Sequence, residues 1–588
     1  MPLTEPLFPP TSNWTAPSTL PNLSGTKILG LDTETKDPNL LSMGPGTLRG
    51  DGYVTGISVA TEDSKWYFPI RHEGGGNLDT EKVVSWLKDL SNGTRPIVGA
   101  NLLYDLEWLR GDLGIEFNGP FYDIQVAEPL LNENKQGGYS LENLSQTYLG
   151  LGKDEENLVS AAEAYGVDPK GGLWQLPAKY VGPYAERDAQ LPLKIFALQK
   201  KALQDQNLWD IFLLESELTL MLLDMRFLGV RVDIEQAYDL AKNMLKEETK
   251  ILDSLKINPW SSKNLTSIFK EHKLPFKYTN SGNPSFPRTY LESLNHPVCK
   301  KIVKYRVLSK NRRDFIEGLI LDKNIKGRIH AQFHQLRNDR FGTRSGRFSS
   351  SNPNLQQIPA RDPYWGPLIR QLFLPDKGTM WGKFDYSQQE PRLTVHYGEK
   401  CNLRGAYEAG NKYREDLDAD FHQMIADMTG LQRPQAKTIN LGLAYGMGKI
   451  KLSNELGVKY EEASALLERY HSNAPFIRQL SNKCADKSMV SGEIVTILGR
   501  KRRLQEGSHH KALNALIQGS AADMTKKAML DLYKEGFLPH LQVHDELCFS
   551  LHLESQSIQQ ITDIMENAIK LTVPVKVDVT IGANWGGK

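Results

Sequence analysis

The sequence is poor in cysteine, and its cysteines are scattered. The 588 residues contain four, at positions too far apart to suggest a disulfide framework or a zinc site: Cys299, Cys401, Cys484 and Cys548. This pattern excludes a small secreted domain held together by disulfides. We expect a reducing, intracellular location. The length indicates three or four domains rather than one core.

Long apolar runs are also absent, and we expect no signal peptide. No stretch reaches the roughly 18 uncharged apolar residues of a membrane helix. The most apolar segment, residues 211–225, is interrupted by Glu215, Glu217 and Asp224. Residues 1–25 contain six prolines and neither Lys nor Arg, so they lack the basic and apolar regions of a signal peptide. We interpret them as an extended N-terminal arm of undetermined role.

The net charge excludes few classes of function, because the total is only +1. The distribution is more informative, since residues 300–313 carry seven Lys or Arg and no acidic residue. More arginines follow on both sides of a loop rich in Gly, Ser and Asn: Arg328, Arg337, Arg340, Arg344 and Arg347. Such runs are either solvated faces or phosphate contacts, and the composition leaves both interpretations open.

The segment after residue 26 has an α/β pattern with carboxylates at regular positions. The sequence KILGLDTET predicts a strand on which Asp32 and Glu34 project from one face. Two predicted helices then carry polar pairs four residues apart, each on one helix face: Asn101 with Asp105, and Tyr184 with Asp188. Each pair alone occurs by chance in many proteins. Four carboxylates in one cleft would repel one another, and two divalent cations would relieve that repulsion.

The ordered set DxE, NxxxD and YxxxD resembles the proofreading 3′–5′ exonuclease domain of the DEDDy type. The resemblance covers residues 26–200. It implies that Tyr184 orients the attacking water and that four carboxylates bind two metal ions: Asp32, Glu34, Asp105 and Asp188.

The middle of the chain predicts a helical arm and a basic loop. Residues 207–273 have long helical periodicity, and the basic helix 300–313 would give the arm one positive face for a duplex backbone. The loop TRSGRFSSSNPNLQQIP at residues 343–359 resembles a segment of family A (DNA polymerase I-like) DNA polymerases. The resemblance implies that Arg347 touches the minor groove of the primer–template. Arg344, Ser345 and Gln357 depart from the family pattern and leave the loop length open.

The segment WGKFDYSQQEPRLTVHY predicts a strand that ends on Asp385 and a helix capped by Ser387. An Asp at such a turn is more often a cap than a ligand, but a strand-end carboxylate also suits a hard divalent cation. A later hairpin, PHLQVHDELCFSLHL, places Asp545 at its tip, where burial requires a metal or hydrogen bonds. A second carboxylate, Asp545, favours the interpretation of Asp385 as a metal ligand over that of a helix cap.

The sequence RPQAKTINLGLAYGMG is the most specific stretch. One face of its predicted helix carries two cations, an amide, an apolar residue and an aromatic ring: Arg433, Lys437, Asn440, Leu441 and Tyr445. This face suits a triphosphate together with a base or sugar. It matches the polymerase motif RxxxKxxNxxxxYG. Pro434 stands where a second basic residue is common, and Leu441 stands where the family has Phe or Tyr, so the family rule on dideoxynucleotides does not transfer.

A hairpin is predicted at residues 492–504, followed by a helix that resembles the NxxxQGxAAD helix of the same family, with His510 where Arg is usual. The resemblance implies two Mg²⁺ per active site, with Mn²⁺ as a substitute, held in the palm by Asp385, Asp545 and the carbonyl of Tyr386. Lys437 would protonate pyrophosphate, while Glu390 and Tyr445 would exclude a 2′-hydroxyl. The implied nucleotide-binding residues are Arg433, Lys437, His422, Leu441, Tyr445, Glu390, Gln388 and Tyr386. The implied DNA-binding residues are Arg347, Asn514, Gln518, Gln542 and His544.

The expected fold class is α/β + α, an RNase H-like exonuclease domain followed by a right-hand polymerase. The expected divisions are arm 1–25, exonuclease 26–200, thumb and connection 201–370, palm 371–419, fingers 420–512 and palm 513–588. We expect no 5′-nuclease domain ahead of these residues, an economy in which the chain resembles phage replicative enzymes.

The function implied is primer-dependent, template-directed DNA synthesis with proofreading, in DNA replication. Expected partners are primer–template DNA, dNTPs and accessory replication proteins, with no membrane contact. We expect a monomer in the cytoplasm, that of the host if a phage encodes it. Two alternatives are a single-subunit RNA polymerase, which Glu390 and the exonuclease set oppose, and a nuclease whose polymerase half only holds DNA. Preference for a modified base stays undetermined.

Overall fold

The N-terminal domain is built on a mixed five-stranded sheet. The computed structural model describes residues 5–152, 155–359, 362–444, 447–552 and 556–587. The strand order is β3-β2-β1-β4-β5, with β1 antiparallel to β2 and parallel to β4. The strands are β1 (Leu29–Lys36), β2 (Tyr53–Ala60), β3 (Lys65–Pro69), β4 (Ile97–Gly99) and β5 (Phe121–Asp123).

Helices cover this sheet, and one of them crosses its face closely. The helices are α1 (Leu40–Met43), α2 (Thr80–Ser91), α3 (Leu102–Leu113), α4 (Ile124–Leu131), α5 (Leu141–Leu149), α6 (Glu156–Tyr165) and α7 (Ala178–Asp205). Asp79, Asp123 and Ser140 cap α2, α4 and α5 by accepting backbone N–H bonds. A β-carbon on Gly30 would lie 2.1 Å from the carbonyl oxygen of Ala189, so glycine allows α7 to rest on β1.

The next part contains the predicted helical arm. Its elements are α8 (Trp209–Leu228), β6 (Val230–Val232), α9 (Ile234–Leu255), α10 (Ser262–Glu271), β7 (Lys277–Tyr278), β8 (Pro284–Ser285), α11 (Arg288–Ser293), α12 (Pro297–Lys310) and a π-helical turn (Asn311–Leu321). Short strands follow: β9 (Asn324–Ile325), β10 (Arg328–Ile329), β11 (Gln332–His334) and β12 (Ser349–Ser351). The last of these places the segment that follows Arg347 beside β11.

The fingers form a separate helical core on one side of the palm. The chain enters the palm through α13 (Trp365–Arg370), β13 (Phe373–Leu374), β14 (Met380–Tyr386) and α14 (Gln389–Lys400). The fingers follow as α15 (Arg404–Glu415), α16 (Phe421–Thr429), α17 (Arg433–Ala444), α18 (Lys449–Leu456), α19 (Tyr460–Asn473), α20 (Pro475–Ser491), β15 (Glu493–Val495) and β16 (Lys501–Arg503). The hairpin predicted at 492–504 is therefore confirmed.

A four-stranded antiparallel sheet completes the palm. Its order is β17-β18-β14-β19, so β14 lies between two strands from the chain's end. The closing elements are α21 (Ala512–Lys534), β17 (Leu541–Val543), β18 (Glu546–Leu551), α22 (Ser557–Asn567) and β19 (Val577–Gly582). The described residues also contain four 3₁₀ turns: Thr47–Arg49, Leu173–Gln175, Leu355–Gln357 and His509–Lys511.

The exonuclease-like domain is joined to the polymerase-like part by ion pairs to a buried glutamate. Glu133, which is 3% exposed, accepts 2.9 Å bonds from Arg502 Nη1 and Arg503 Nη1 on β16. Asn134 Nδ2 also donates to the carbonyl oxygen of Arg503 at 2.9 Å. Among the described helices, none combines the length and apolar character needed to cross a lipid bilayer.

Candidate active sites

The palm sheet brings two predicted carboxylates to neighbouring strand ends. Asp385 lies one residue before the end of β14, in register with Glu546 on β18 and Asp578 on β19. Asp545 lies in the turn between β17 and β18, and the N–H of Tyr386 donates to its carbonyl oxygen at 3.3 Å. The turn is tight because His544 has a φ of 60°. The two residues, 160 positions apart in sequence, therefore belong to one site.

The electrostatics of this site fit a divalent cation. Burial first, and then the charges of Asp545, Glu546 and Asp578, raise the pKa of Asp385 to about 8. Burial also raises the pKa of Asp545, against the lowering effect of the Arg347 charge. Oδ1 of Asp385 is buried and has no hydrogen-bond partner within the described chain. Such an oxygen beside a second carboxylate is a suitable ligand for a hard cation.

The helix after Asp385 starts differently from the prediction. Ser387 is not its cap, because α14 begins at Gln389 and Gln388 holds the N-cap position with a φ of 53°. Gln388 instead uses its amide in the palm, where Nε2 donates to the carbonyl of Ala419 at 2.9 Å and Oε1 accepts from the N–H of Phe421 at 2.8 Å. The Gln388 amide therefore ties the palm to the start of α16.

Glu390 occupies the first turn of α14 and pairs with a residue predicted to touch DNA. Oε1 of Glu390 accepts a hydrogen bond from Nη2 of Arg347. Both side chains are partly exposed, Arg347 at 32% and Glu390 at 21%. The predicted gate residue and the predicted minor-groove arginine are thus direct neighbours.

The fingers present the predicted phosphate-binding cations at their surface. Arg433 and Lys437 are exposed on α17. Nε of Arg433 donates to Oδ2 of Asp420, the N-cap of α16, at 2.8 Å. His422 Nδ1 lies 3.0 Å from Asn440 Nδ2, so His422 faces α17 as expected. Tyr445 and the side chain of Leu441 lie outside the described residues.

The predicted DNA-contacting amides divide into two groups. Asn514 and Gln518 are half-buried on α21, and Oδ1 of Asn514 is buried without a hydrogen-bond partner in the described chain. Gln542 is 3% exposed, donates to the carbonyl of His544 and accepts from Gln356 Nε2 at 2.8 Å. Its amide holds the turn that carries Asp545, while His544 itself is exposed.

A buried network of charges beneath the palm was missed from the sequence. Glu215 on α8 accepts 2.6 Å bonds from Arg500 Nη2 and Lys526 Nζ, and Arg500 Nε donates to Asp523 Oδ1 at 2.8 Å. All four side chains are at most 3% exposed. The one sequence signal was Glu215, an acid inside an apolar run.

The N-terminal sheet and α7 form a second acidic cleft. Asp32 and Glu34 lie on β1, and Tyr184 and Asp188 lie one turn apart on α7. Burial first, and then the charges of Asp188, Glu34 and Asp32, hold the pKa of Tyr184 well above its usual value. The tyrosine therefore lies among three of the four predicted ligands.

Asp105, the fourth predicted ligand, is hydrogen-bonded to Thr33 of strand β1. β4 pairs with β1 only at Leu29 and Gly30. Beyond that point Oδ1 of Asp105 accepts from the N–H and the hydroxyl of Thr33, at 2.9 and 2.6 Å. Burial raises the pKa of Asp105 to about 7. One of its oxygens therefore has a structural role that the sequence did not indicate.

Neither cleft contains a preformed metal cluster. Over the described ranges, no group of three or more His, Cys, Asp or Glu side chains is arranged closely enough to hold a metal ion.

The basic segment of the helical arm is only partly a surface. Lys300, Lys301, Lys304, Lys310 and Arg313 are exposed. Arg312 is 6% exposed and pairs with Glu248 at 2.7 Å, while Arg306 donates to the carbonyls of Pro259 and Phe286. Two of the seven cations thus stabilise the arm itself.

Comparison with known proteins identifies both parts of the chain. Residues 233–587 match the family described as DNA polymerase family A, and residues 11–204 match the family described as 3′-5′ exonuclease. A DNA-directed DNA polymerase of Pseudomonas phage M6 is 38% identical, over 99% of this chain and 98% of its own length.

Two further similarities agree with this match. The DNA polymerase DpoZ of Salmonella phage PMBT28 is 28% identical, over 96% of this chain and 98% of its own length. In structure, the chain is similar to the POL domain of Pol1 from M. smegmatis, solved in complex with DNA primer-template and dNTP. The TM-score is 0.78 at 24% identity, covering 96% of this chain and 97% of that one.

Proposed function

The chain belongs to DNA polymerase family A and carries a 3′–5′ exonuclease domain, and on that premise we propose which residues perform each activity. The palm carboxylates Asp385 and Asp545, with the carbonyl of Tyr386, would hold two Mg²⁺ for synthesis. Asp32, Glu34, Asp105 and Asp188 would hold two for excision, while Tyr184 orients the attacking water. Bound cations supply activation of the attacking oxygen and neutralise charge on the leaving oxygen.

The incoming dNTP would be held by α16 and α17. Arg433 and Lys437 bind the phosphates together with His422, and Lys437 is exposed and able to protonate the leaving pyrophosphate. Arg433 would exchange its bond with Asp420 for one with a phosphate oxygen. Leu441 and Tyr445 complete the motif on the base and sugar side.

The sugar and the primer end would be positioned by the palm. Glu390 and Tyr445 exclude a 2′-hydroxyl, and the Arg347 bond holds the Glu390 carboxylate in place. Arg347, Asn514, Gln518 and His544 contact the primer–template end. Three further side chains would support the site through hydrogen bonds to the backbone: those of Gln388, Tyr386 and Gln542. These bonds fix the segments that carry Glu390, Asp385 and Asp545.

We further infer that the protein acts as a monomer in the host cytoplasm, together with accessory replication proteins. The two phage relatives match it over nearly their full length, which supports a role in phage DNA replication.

The single observation that carries the proposal is the presence of Asp385 and Asp545 at adjacent strand ends, with one buried oxygen lacking a donor in the described chain. Asp385→Ala or Asp545→Ala should reduce primer extension by at least about a thousandfold, because each removes charge that stabilises the transition state. Both variants should still degrade 3′ ends. Asp32→Ala combined with Glu34→Ala should have the reverse effect.

Asp578→Asn is the matched control for these variants. Asp578 is an exposed carboxylate in register with Asp385 on β19, and this variant should keep most of the extension rate. The two-site proposal is wrong if either palm change removes both activities from a protein that stays folded by circular dichroism.

A further inference from the structure

The N-terminal arm is bound along the exonuclease domain. Ser12 Oγ donates to the carbonyl of Lys179 at 2.7 Å, and the Tyr180 hydroxyl donates to the carbonyl of Pro10 at 2.9 Å. Further along the arm, Trp86 Nε1 donates to the carbonyl of Pro21 at 3.0 Å, and Leu23 is buried in the domain core. The arm therefore has two anchors, one at the start of α7 and one at α2.

Trp14 lies at the first anchor and contacts two elements at once. Its Nε1 donates to Oε1 of Glu186 on α7 at 2.9 Å. A β-carbon on Gly182 would lie 2.2 Å from Cε2 of Trp14, so the indole occupies the space that glycine leaves on the helix. On its other side the indole packs against Tyr67 of β3, with 6.1 Å between ring centroids.

Tyr67 belongs to the same sheet face as the predicted ligands. Asp32 is paired with Ser58, and Ser58 with Tyr67, so the three side chains form one cross-strand row. The Tyr67 hydroxyl lies over Gly56, which is paired with Glu34. Burial first, then the Glu34 charge and, more weakly, the Asp32 charge hold the pKa of Tyr67 well above its usual value. Tyr67 thus borders both carboxylates.

The helix contact lies on the flank opposite the predicted catalytic residues. Gly182 and Glu186 are four residues apart and share one flank of α7, where Trp14 is seated. Tyr184 and Asp188 are offset from them by two residues, or roughly 200° around the helix. The side of α7 that rests on the sheet lies between these two flanks. A contact that supports one flank therefore fixes the rotation of the helix about its axis, and with it the position of the other flank.

We propose that Trp14 is a positioning residue of the exonuclease site, which fixes the rotation of α7 by filling the gap between Tyr67 and Gly182. It thereby sets how closely Tyr184 and Asp188 approach Asp32 and Glu34. The inference rests on the exonuclease role proposed above for those four residues.

The test compares variants of the full-length protein on a single-stranded oligonucleotide at saturating Mg²⁺. Trp14→Ala should lower the turnover number for excision at least about tenfold and leave the KM for the oligonucleotide and the primer-extension rate unchanged. Trp14→Phe keeps the ring and should restore most of the excision turnover. Trp86→Phe loses only the second anchor of the same arm, and its excision should match the unmodified protein.

Gly182→Ala tests the contact between the Trp14 indole and α7 without changing the arm. Alanine favours a helix more than glycine does, so this change should not weaken α7 itself. Its β-carbon would displace the indole, and excision should fall as in Trp14→Ala.

Three results would overturn the proposal: an unchanged excision turnover in Trp14→Ala, an equal loss of excision and extension, or an equal loss in Trp86→Phe. The Asp32→Ala, Glu34→Ala double variant serves as a reference in the same assay. If that variant still excises nucleotides, the assignment of the ligands fails, whatever Trp14 does.

Discussion

The Arg347 side chain is linked to three parts of the proposed site: Glu390, Asp545 and the primer–template. Its guanidinium donates to Glu390, and its charge lowers the pKa of Asp545 against the effect of burial. A cation at this point opposes the effect of burial on the proposed metal ligand Asp545, and it holds the Glu390 carboxylate that we propose to border the sugar. The same side chain is proposed to reach the primer–template, so its loss should impair more than DNA contact.

His72 shows how a buried residue near the exonuclease cleft makes stability depend on pH. It is 3% exposed, its Nε2 lies 2.6 Å from the Tyr67 hydroxyl, and burial lowers its pKa to about 4. In the unfolded chain the pKa is about 6.5. The unfolded state therefore takes up the proton first, and stability is lost as pH falls from about 6.5 towards 4, by up to about 3 kcal/mol.

His72→Gln should remove this component of acid destabilisation. The measurement is the unfolding midpoint between pH 7 and pH 4, compared with the unmodified protein. His510→Gln, at an exposed position, is the control and should follow the unmodified curve. An acid-induced fall of the same size in His72→Gln would show that His72 is not responsible.

At the scale of elements, buried charges join α8, α21 and the turn that precedes β16. Arg500 also supports the loop of Arg347, because a β-carbon on Gly346 would lie 2.6 Å from its Nε. Lys526 Nζ lies 4.9 Å from the Phe348 ring centre. Two cations and two anions balance in this network, so removing one leaves an uncompensated buried charge.

Glu215→Gln should destabilise the protein by about 3–5 kcal/mol. Combining it with Lys526→Met removes one charge of each sign and should recover most of that loss. Lys527→Ala is the matched control on the same helix, because its pair with Asp531 is partly exposed and should contribute less than about 1 kcal/mol. Chemical denaturation measures the free energy of unfolding of all three variants. An unchanged free energy in Glu215→Gln would contradict a stabilising role for this network.

At the scale of the whole molecule, the small net charge of +1 conceals a local basic surface. Five of the seven cations in residues 300–313 are exposed on or just after α12. Phosphate contacts release counterions, so the affinity for primer–template should fall steeply as salt rises.

Changing Lys300, Lys301 and Lys310 to Gln should reduce the slope of log Kd against log salt by about one for each phosphate that the variant no longer neutralises. Lys82 and Lys88 on α2 provide a control pair of the same charge outside this surface. A titration that is flat in salt, or equally steep in the triple variant, would mean that α12 does not bind the duplex.

The local sequence determined many of the elements and indicated the chemical type of each proposed site. Period-two alternation before Asp385 and helical spacing from Arg433 both appear in the structure, because they depend on residues near in sequence. The family and both activities followed from motifs in short segments. The cap at Ser387 was wrong because the left-handed backbone of Gln388 is stabilised by contacts with Ala419 and Phe421, which local propensity does not contain.

Only the tertiary structure decided which side chains meet across the fold. Lys526 binds Glu215 from 311 positions away, and Trp14 binds Glu186 from 172 positions away. No periodicity encodes such pairs, because each depends on how separate elements pack. The carboxylates of both proposed sites could therefore be named from the sequence, whereas the side chains packed around them became visible only once the fold brought distant segments together.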